Sequence, residues 1–174
     1  MKHYYLFNNA SRATQYGIGT YLNQLSHGLK EEAKVSIISI NSDKEEVKST
    51  EDNGIRTIHI PKISYKNSSD NFQRYYRNLI YLLKTFISEE EAVFMLNYLY
   101  MTPLVKLLHE HFLNCKVVAV VHYLNWCLAL NGNVSKFHQL LESKHRDKKE
   151  EVLYEEYLND RKLLQGVDKV ICLS

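Results

Sequence analysis

Short apolar runs alternate with longer stretches of helical periodicity along the chain. The segments with helical spacing are Ile18–Leu29, Phe72–Ile87, Met101–Leu113 and residues 134–166. Six runs have the length and composition of buried strands, namely Tyr4–Phe7, Val35–Ile40, Ile55–Ile60, Ala92–Leu96, Lys116–Val121 and Val167–Leu173. This alternation predicts an α/β, Rossmann-like fold: a doubly wound parallel sheet with helices on both faces, in a single domain. The polar stretch Asn41–Asn53 is predicted to be a loop.

The composition is that of a soluble globular domain and argues against nucleic-acid binding. The 174 residues suit one domain, and 45% hydrophobic with 24% charged residues is typical of a soluble globular protein. A net charge of +2 gives no basic excess of the kind that nucleic-acid binding requires. The three cysteines form no CxxC pair, and no signal peptide is evident, so we expect reduced thiols and a cytoplasmic location.

Two glycines open the first predicted helix. Gly17-Ile18-Gly19 follows a polar loop of about ten residues that begins after Phe7. Glycine lets the backbone approach another group closely, and the free N–H groups of a helix N-terminus suit an anion. A nicotinamide site would need a third glycine where Leu22 stands. The motif therefore favours a loop that handles phosphate or sugar; the alternative is a loop whose glycines only relieve strain.

Polar and aromatic residues follow two of the predicted strands directly. Asn97 and Tyr98 come after the fourth strand, and His122, Tyr123 and Trp126 come after the fifth. Ligands of such folds bind outside the carboxyl ends of the strands, where a histidine can donate a hydrogen bond or exchange a proton. Trp126 would stack on a sugar ring. The alternatives are a histidine that caps its strand, a packed tryptophan and a turn asparagine.

Other polar clusters give weaker signals. His109 and His111 lie two residues apart, on different faces of a helix, and so do not form a metal pair. No metal and no cofactor are expected. The charge-rich stretch Glu142–Lys162 is interpreted as a solvated helical surface.

These pieces together resemble the N-terminal domain of retaining glycosyltransferases of family 4, which have the two-domain GT-B fold. The resemblance rests on Gly17-Ile18-Gly19 leading into a helix, on the strand end at Asn97, on Val120-Val121-His122, and on the closing segment Val167–Ser174. It spans nearly all 174 residues, although each motif is short. Two positions depart from the family pattern: Tyr123 stands where an aspartate is common, and Asn97 where a histidine is frequent.

The resemblance implies that residues 1–174 form an N-terminal, acceptor-side domain, and that a C-terminal donor-binding domain lies outside this chain. The Gly17–Gly19 segment would approach the phosphates and sugar of a nucleotide-sugar donor, and His122 would act as the catalytic sugar contact. Acceptor-binding candidates are Asn97, Tyr98, Tyr123 and Trp126.

The function that follows from the resemblance is transfer of a hexose to a saccharide or lipid-linked acceptor in bacterial surface polysaccharide synthesis. A lipid-linked acceptor would bring the protein to the inner face of the cell membrane. The chain alone, as a fragment, is expected to be inactive. A stand-alone, non-catalytic Rossmann-like binding or interaction module is the alternative, and a nicotinamide-dependent enzyme is a third, disfavoured by Leu22.

Overall fold

A single sheet organises the chain. The computed structural model describes residues 2–10, 17–62, 69–87 and 91–173. Within these residues, seven strands form the sheet: β1 (His3–Asn9), β2 (Lys34–Ser42), β3 (Lys48–Asp52), β4 (Ile55–Pro61), β5 (Ala92–Leu96), β6 (Lys116–Val121) and β7 (Lys169–Cys172). Their spatial order is β3-β4-β2-β1-β5-β6-β7. All neighbouring strands are parallel except β3 and β4, so the predicted α/β class with a largely parallel sheet is confirmed.

The helices connect the strands and flank the sheet. They are α1 (Ile18–Leu29), α2 (Ser69–Leu83), α3 (Thr102–His111), α4 (Asn125–Ala129), α5 (Val134–Glu142) and α6 (Lys148–Gly166), with a 3-10 turn at Leu99–Met101 before α3. From β1 the chain moves to β2 in one direction and later crosses to β5 and β6 in the other. Since such crossovers are right-handed, the reversal puts α1 and α3 on opposite faces of the sheet, as doubly wound folds require.

The predicted loop Asn41–Asn53 is wrong in part, because it contains β3. This strand is fully exposed and pairs antiparallel with β4 at the edge of the sheet. Asn53 and Gly54, with φ of 49° and 76°, form the tight turn between the two strands. The five residues of β3, Lys48–Asp52, are all polar, so hydrophobic periodicity cannot detect this strand.

The predicted helical stretch 134–166 consists of two helices with a break between them. Asp147 begins α6: its carboxylate accepts hydrogen bonds from the backbone N–H groups of Lys149 and Glu150, at 2.7 and 2.9 Å. The Glu150 carboxylate accepts from the Asp147 N–H in return, at 3.0 Å. This capping box satisfies N–H groups that a helix start leaves open, so it fixes where α6 begins.

The core lies where the central strands are covered on both faces. Phe94 of β5 is fully buried, and its ring lies 5.5 Å from that of Tyr5 and 5.1 Å from that of Phe112. Among the described residues, none of the helices is both long and apolar enough to cross a membrane.

Replacing Phe94 by alanine should lower the free energy of unfolding by about 3–5 kcal/mol, because it opens a cavity between β1 and Phe112, the residue that follows α3. Urea unfolding followed by circular dichroism measures this. Tyr81→Ala is the control: Tyr81 is 64% exposed on α2, and its loss should change stability by about 0.5 kcal/mol or less. Equal losses in the two variants would contradict this view of the core.

Candidate functional site

Three neighbouring strands end together at one edge of the sheet. β1 lies between β2 and β5, and β6 lies beside β5, all parallel. The strand order reverses between β1 and β5, which makes this the switch point where open α/β sheets bind ligands. The residues placed here are Asn9 at the end of β1, Asn97 after β5 and His122 after β6.

Asn97 links these strand ends through its side chain. The amide is buried, and its Nδ2 donates to the backbone oxygen of Phe7 at 3.0 Å and to that of Met95 at 3.4 Å. Its Oδ1 lies 3.1 Å from Nε2 of His122. Because the amide is occupied by these partners, Asn97 holds the imidazole in place.

The contact with Asn97 selects one tautomer of His122. Since Nδ2 of Asn97 faces the carbonyl oxygens, Oδ1 is the atom that faces the ring, so Nε2 of His122 carries the proton and donates it. Burial lowers the pKa of His122, which keeps the ring neutral near pH 7. The Nδ1 atom is then a hydrogen-bond acceptor for a hydroxyl group.

The glycine segment begins the helix that contacts this histidine, but Gly17, Ile18 and Gly19 are not among the described residues that line the cavity at this edge of the sheet. Gly17 precedes α1 with φ of 68°, a left-handed conformation that glycine adopts without steric cost. Ile18 is buried in the core, which anchors the first turn, and Gly19 is half-buried in that turn. One turn on, the ring of Tyr21 meets the His122 ring edge-on, with centroids 4.9 Å apart. Residues 11–16, which include Tyr16 and most of the predicted long loop, lie outside the described residues.

A cavity of about 600 Å³ opens at the same edge. Tyr98 and Tyr123 line it together with Asn97 and His122, so four of the residues selected from the sequence line one cavity. Tyr98 is buried, and its hydroxyl donates to Oδ1 of Asn8 at 3.3 Å. Further described residues lining the cavity are Asn9, Asn41, Lys62, Leu99, Tyr100, Val120, Asn125, Glu156, Asn159 and Asp160.

Trp126 is not among the described residues that line the cavity. Its ring stacks on Phe137, with centroids 4.7 Å apart, and meets Tyr157 edge-on at 5.5 Å. These contacts hold α4, α5 and α6 together. The indole Nε1 donates to Oδ2 of Asp160 at 3.1 Å. Trp126 therefore contacts the cavity only indirectly, through its hydrogen bond to Asp160, and its ring does not line the cavity.

The carboxylates of α6 are functional candidates that the sequence did not reveal. Glu156 and Asp160 line the cavity, although the charged stretch around them was interpreted as a solvated surface. Burial raises the pKa of Asp160 to about 6; the Trp126 hydrogen bond lowers it, and the nearby Glu156 raises it. Their spacing of four residues, which puts both on one helix face, is the signal that could have identified them.

A cysteine–histidine–aspartate row lies at the opposite, amino-terminal edge of β6. The Cys115 sulfur lies 3.9 Å from Nδ1 of His109, and Nε2 of His109 lies 3.6 Å from Oδ2 of Asp168. Burial raises the pKa of the Cys115 thiol, the reverse of what a nucleophile needs. Asp168 accepts hydrogen bonds from the N–H of Val117 at 2.8 Å and from Lys116 at 3.0 Å. This row fastens β6 to β7 and is structural.

No protein-family model matches the chain, and no curated protein sequence matches it either. Solved structures are similar to it. One is an α,α-trehalose-phosphate synthase (UDP-forming) from Burkholderia vietnamiensis, with a TM-score of 0.54 and 8% identity over 98% of this chain and 39% of that chain. Another is the apo structure of OtsA, with a TM-score of 0.54 and 10% identity over 95% of this chain and 43% of that chain.

These similarities show the fold. The chain has the Rossmann-like α/β architecture of one half of a GT-B glycosyltransferase, and it spans about two fifths of the length of these neighbours. At 8% and 10% identity, the comparison supports the GT-B fold but does not identify family 4 or a retaining mechanism.

The imidazole of His122 should titrate below the ordinary histidine pKa, because burial disfavours its charged form. Asn97→Ala removes the acceptor of the Nε2 proton, so the share of the ring that carries its proton on Nδ1 should rise. NMR of the ring nitrogens measures the pKa and the tautomer in both proteins. A proton on Nδ1 in the wild-type chain, or an unchanged tautomer ratio in Asn97→Ala, would contradict the described contact.

Asp160→Asn should stabilise the fold at pH 7.5 by about 1–2 kcal/mol. This free energy is smaller than the one that corresponds to the whole pKa shift of Asp160, because solvent screens a half-exposed side chain. The folded chain holds the Asp160 proton up to about pH 6, whereas the unfolded chain releases it near pH 3.8. Wild-type stability therefore falls as the pH rises between these values, and the variant lacks that loss.

Urea unfolding of the two proteins at pH 3.5 and pH 7.5 measures the difference. The stability gain should largely disappear at pH 3.5, where Asp160 is mostly protonated in both states. A gain that is equal at both pH values would show that the carboxylate charge is not its cause.

Proposed function

We propose that this chain is the acceptor-side half of a glycosyltransferase that uses a nucleotide-sugar donor. The observation that carries the proposal is the arrangement at the switch point of the sheet. There the half-buried, neutral His122 lines a polar cavity and contacts α1, the helix that begins after Gly17. The similarity to a synthase whose name states that it forms UDP supports a nucleotide sugar as the donor class.

In this proposal the N-terminus of α1 faces the donor. Gly17 leaves the helix start without a side-chain cap, and the described first turn carries no acidic residue. The N–H groups of Ile18 and Gly19 therefore suit a donor phosphate oxygen or sugar hydroxyl. A second α/β domain would supply the positive groups that stabilise the leaving diphosphate.

His122 contacts the transferred sugar. Because the Nε2–H group of His122 donates to Oδ1 of Asn97, its Nδ1 accepts a hydrogen bond from a sugar hydroxyl. The Asn97 contact fixes the ring before the substrate arrives, so less conformational freedom is lost on binding. Tyr123 and Tyr98 line the cavity next to it, where an acceptor would lie.

The finer assignments extend this proposal. We assign hexose transfer with retention, as in family 4, to a saccharide or lipid-linked acceptor in surface polysaccharide synthesis. The enzyme would work in the cytoplasm, and a lipid-linked acceptor would place it against the inner membrane surface.

In the full-length protein, His122→Ala should lower sugar transfer about 10²-fold with little change in stability, because it removes a preorganised contact near the reacting sugar. Nucleotide release from a panel of nucleotide sugars, each with saccharide acceptors, measures this. His138→Ala is the matched control, since His138 is exposed on α5 and does not line the cavity.

Full turnover in His122→Ala would remove this residue from the mechanism. Absence of transfer from every nucleotide sugar tested would favour the non-catalytic binding module instead. A nicotinamide cofactor bound by the wild-type protein would overturn the transferase proposal.

A further inference from the structure

The charged side chains of the cavity are segregated along the sheet edge. Lys62 follows β4, and Asn41 and Asn9 on β2 and β1 separate it from β5 and β6. Glu156 and Asp160 line the cavity from α6, a helix that packs on the 3-10 turn after β5 and on α4 after β6. The end of the cavity near His122 is therefore acidic, and the one lysine among the described lining residues lies at the other end.

Asp160 is held with one oxygen available. Trp126 donates to Oδ2, and Oδ1 accepts no hydrogen bond from any residue that the structure describes. Stacking of Trp126 on Phe137 and its edge contact with Tyr157 fix the indole. The carboxylate therefore has a set orientation before any ligand binds, which is how binding sites limit the entropy lost on association.

We infer that the carboxylates of Glu156 and Asp160 bind the hydroxyl groups of an uncharged saccharide acceptor and exclude acceptors that carry a phosphate or carboxylate there. The inference rests on the proposed function and names its substrate class.

The chemistry of these two carboxylates favours an uncharged saccharide over a charged one. Hydroxyl groups donate charge-assisted hydrogen bonds to carboxylate oxygens, which are stronger than bonds between neutral partners. A phosphate offers only acceptors to these oxygens and adds a like charge, and like charges in a partly desolvated site repel strongly. The neutral side chains of Asn9 and Tyr123 add no positive charge that would offset the repulsion.

The burial of Asp160 supports the same conclusion. Desolvation raises its pKa to about 6, so at neutral pH the fold keeps a carboxylate that burial disfavours. A leucine or asparagine would pack there without that cost. Perturbed carboxyl groups in clefts are typical of binding and catalytic sites, where the cost is offset by ligand contacts.

The test is titration of the 174-residue chain at pH 7.5 with glucose, galactose, mannose and maltose, each paired with its phosphorylated form. Backbone amide shifts in NMR report both affinity and place. We expect at least one neutral sugar to shift the amide signals of residues that line the cavity. That sugar should bind at least about ten times more tightly than its phosphorylated form. Phosphorylated sugars that bind as well as the neutral ones would overturn the inference.

Variants assign the effect to α6. Asp160→Asn should weaken the neutral sugar about tenfold and reduce the discrimination against its phosphate. Glu155→Gln is the control, because Glu155 is exposed on the same helix and does not line the cavity; it should change neither value. Equal effects of the two variants would contradict a specific role for Asp160.

Trp126→Phe tests the positioning role of the indole. It keeps an aromatic ring but removes the N–H, so the pKa of Asp160 should rise further, as measured by carboxyl-carbon NMR, and sugar affinity should fall. A change in affinity with an unchanged Asp160 pKa would overturn the positioning role.

Failure here differs from failure of the proposed function. If the full-length protein transfers sugar but prefers phosphorylated acceptors, the inference alone is wrong. If it transfers sugar to no acceptor and no sugar shifts the cavity residues, both are wrong.

Discussion

The buried amide of Asn97 joins three strands at the point on which the site depends. Its Nδ2 donates to the carbonyl oxygen of Phe7 in β1, and its Oδ1 accepts from His122 after β6. This works only because β1, β5 and β6 are parallel neighbours whose carboxyl ends coincide. An antiparallel or shifted strand would put these three groups at different edges of the sheet.

The two edges of the sheet have different roles as a result. At the carboxyl edge, Nδ1 of His122 and Oδ1 of Asp160 accept no hydrogen bond from any residue that the structure describes, and both side chains line the cavity. At the amino edge, Asp168 is occupied by the Val117 N–H, by Lys116 and by His109. Burial disfavours ionisation of Asp168, but these donors outweigh it and lower the pKa of the carboxyl group. The amino edge is thus occupied by its own ion pairs and hydrogen bonds, whereas the carboxyl edge contains the cavity.

Much of this arrangement could be predicted from the sequence, and there are physical reasons why the rest could not. Apolar runs identified six of the seven described strands, including β7, whose sequence is largely apolar although none of its residues is buried. The rule that parallel strands end together brought Asn97, Tyr98, His122 and Tyr123 to one edge. β3 was missed because all five of its residues are polar. The break before α6 was missed although Asp147 and Glu150 carry the capping-box spacing.

Tertiary packing decided what local pattern could not. Trp126 has the same amphipathic ring whether it stacks on a sugar or on Phe137, and only the positions of α5 and α6 distinguish the two. Likewise, the carboxylates of α6 resemble any solvated charge until the helix packs beside the cavity. Whether this edge of the sheet binds substrate is tested most directly by a crystal structure of the full-length protein with a nucleotide sugar that it turns over. We expect the transferred sugar within hydrogen-bond distance of Nδ1 of His122; a sugar bound at the amino edge, near His109, would contradict the assignment.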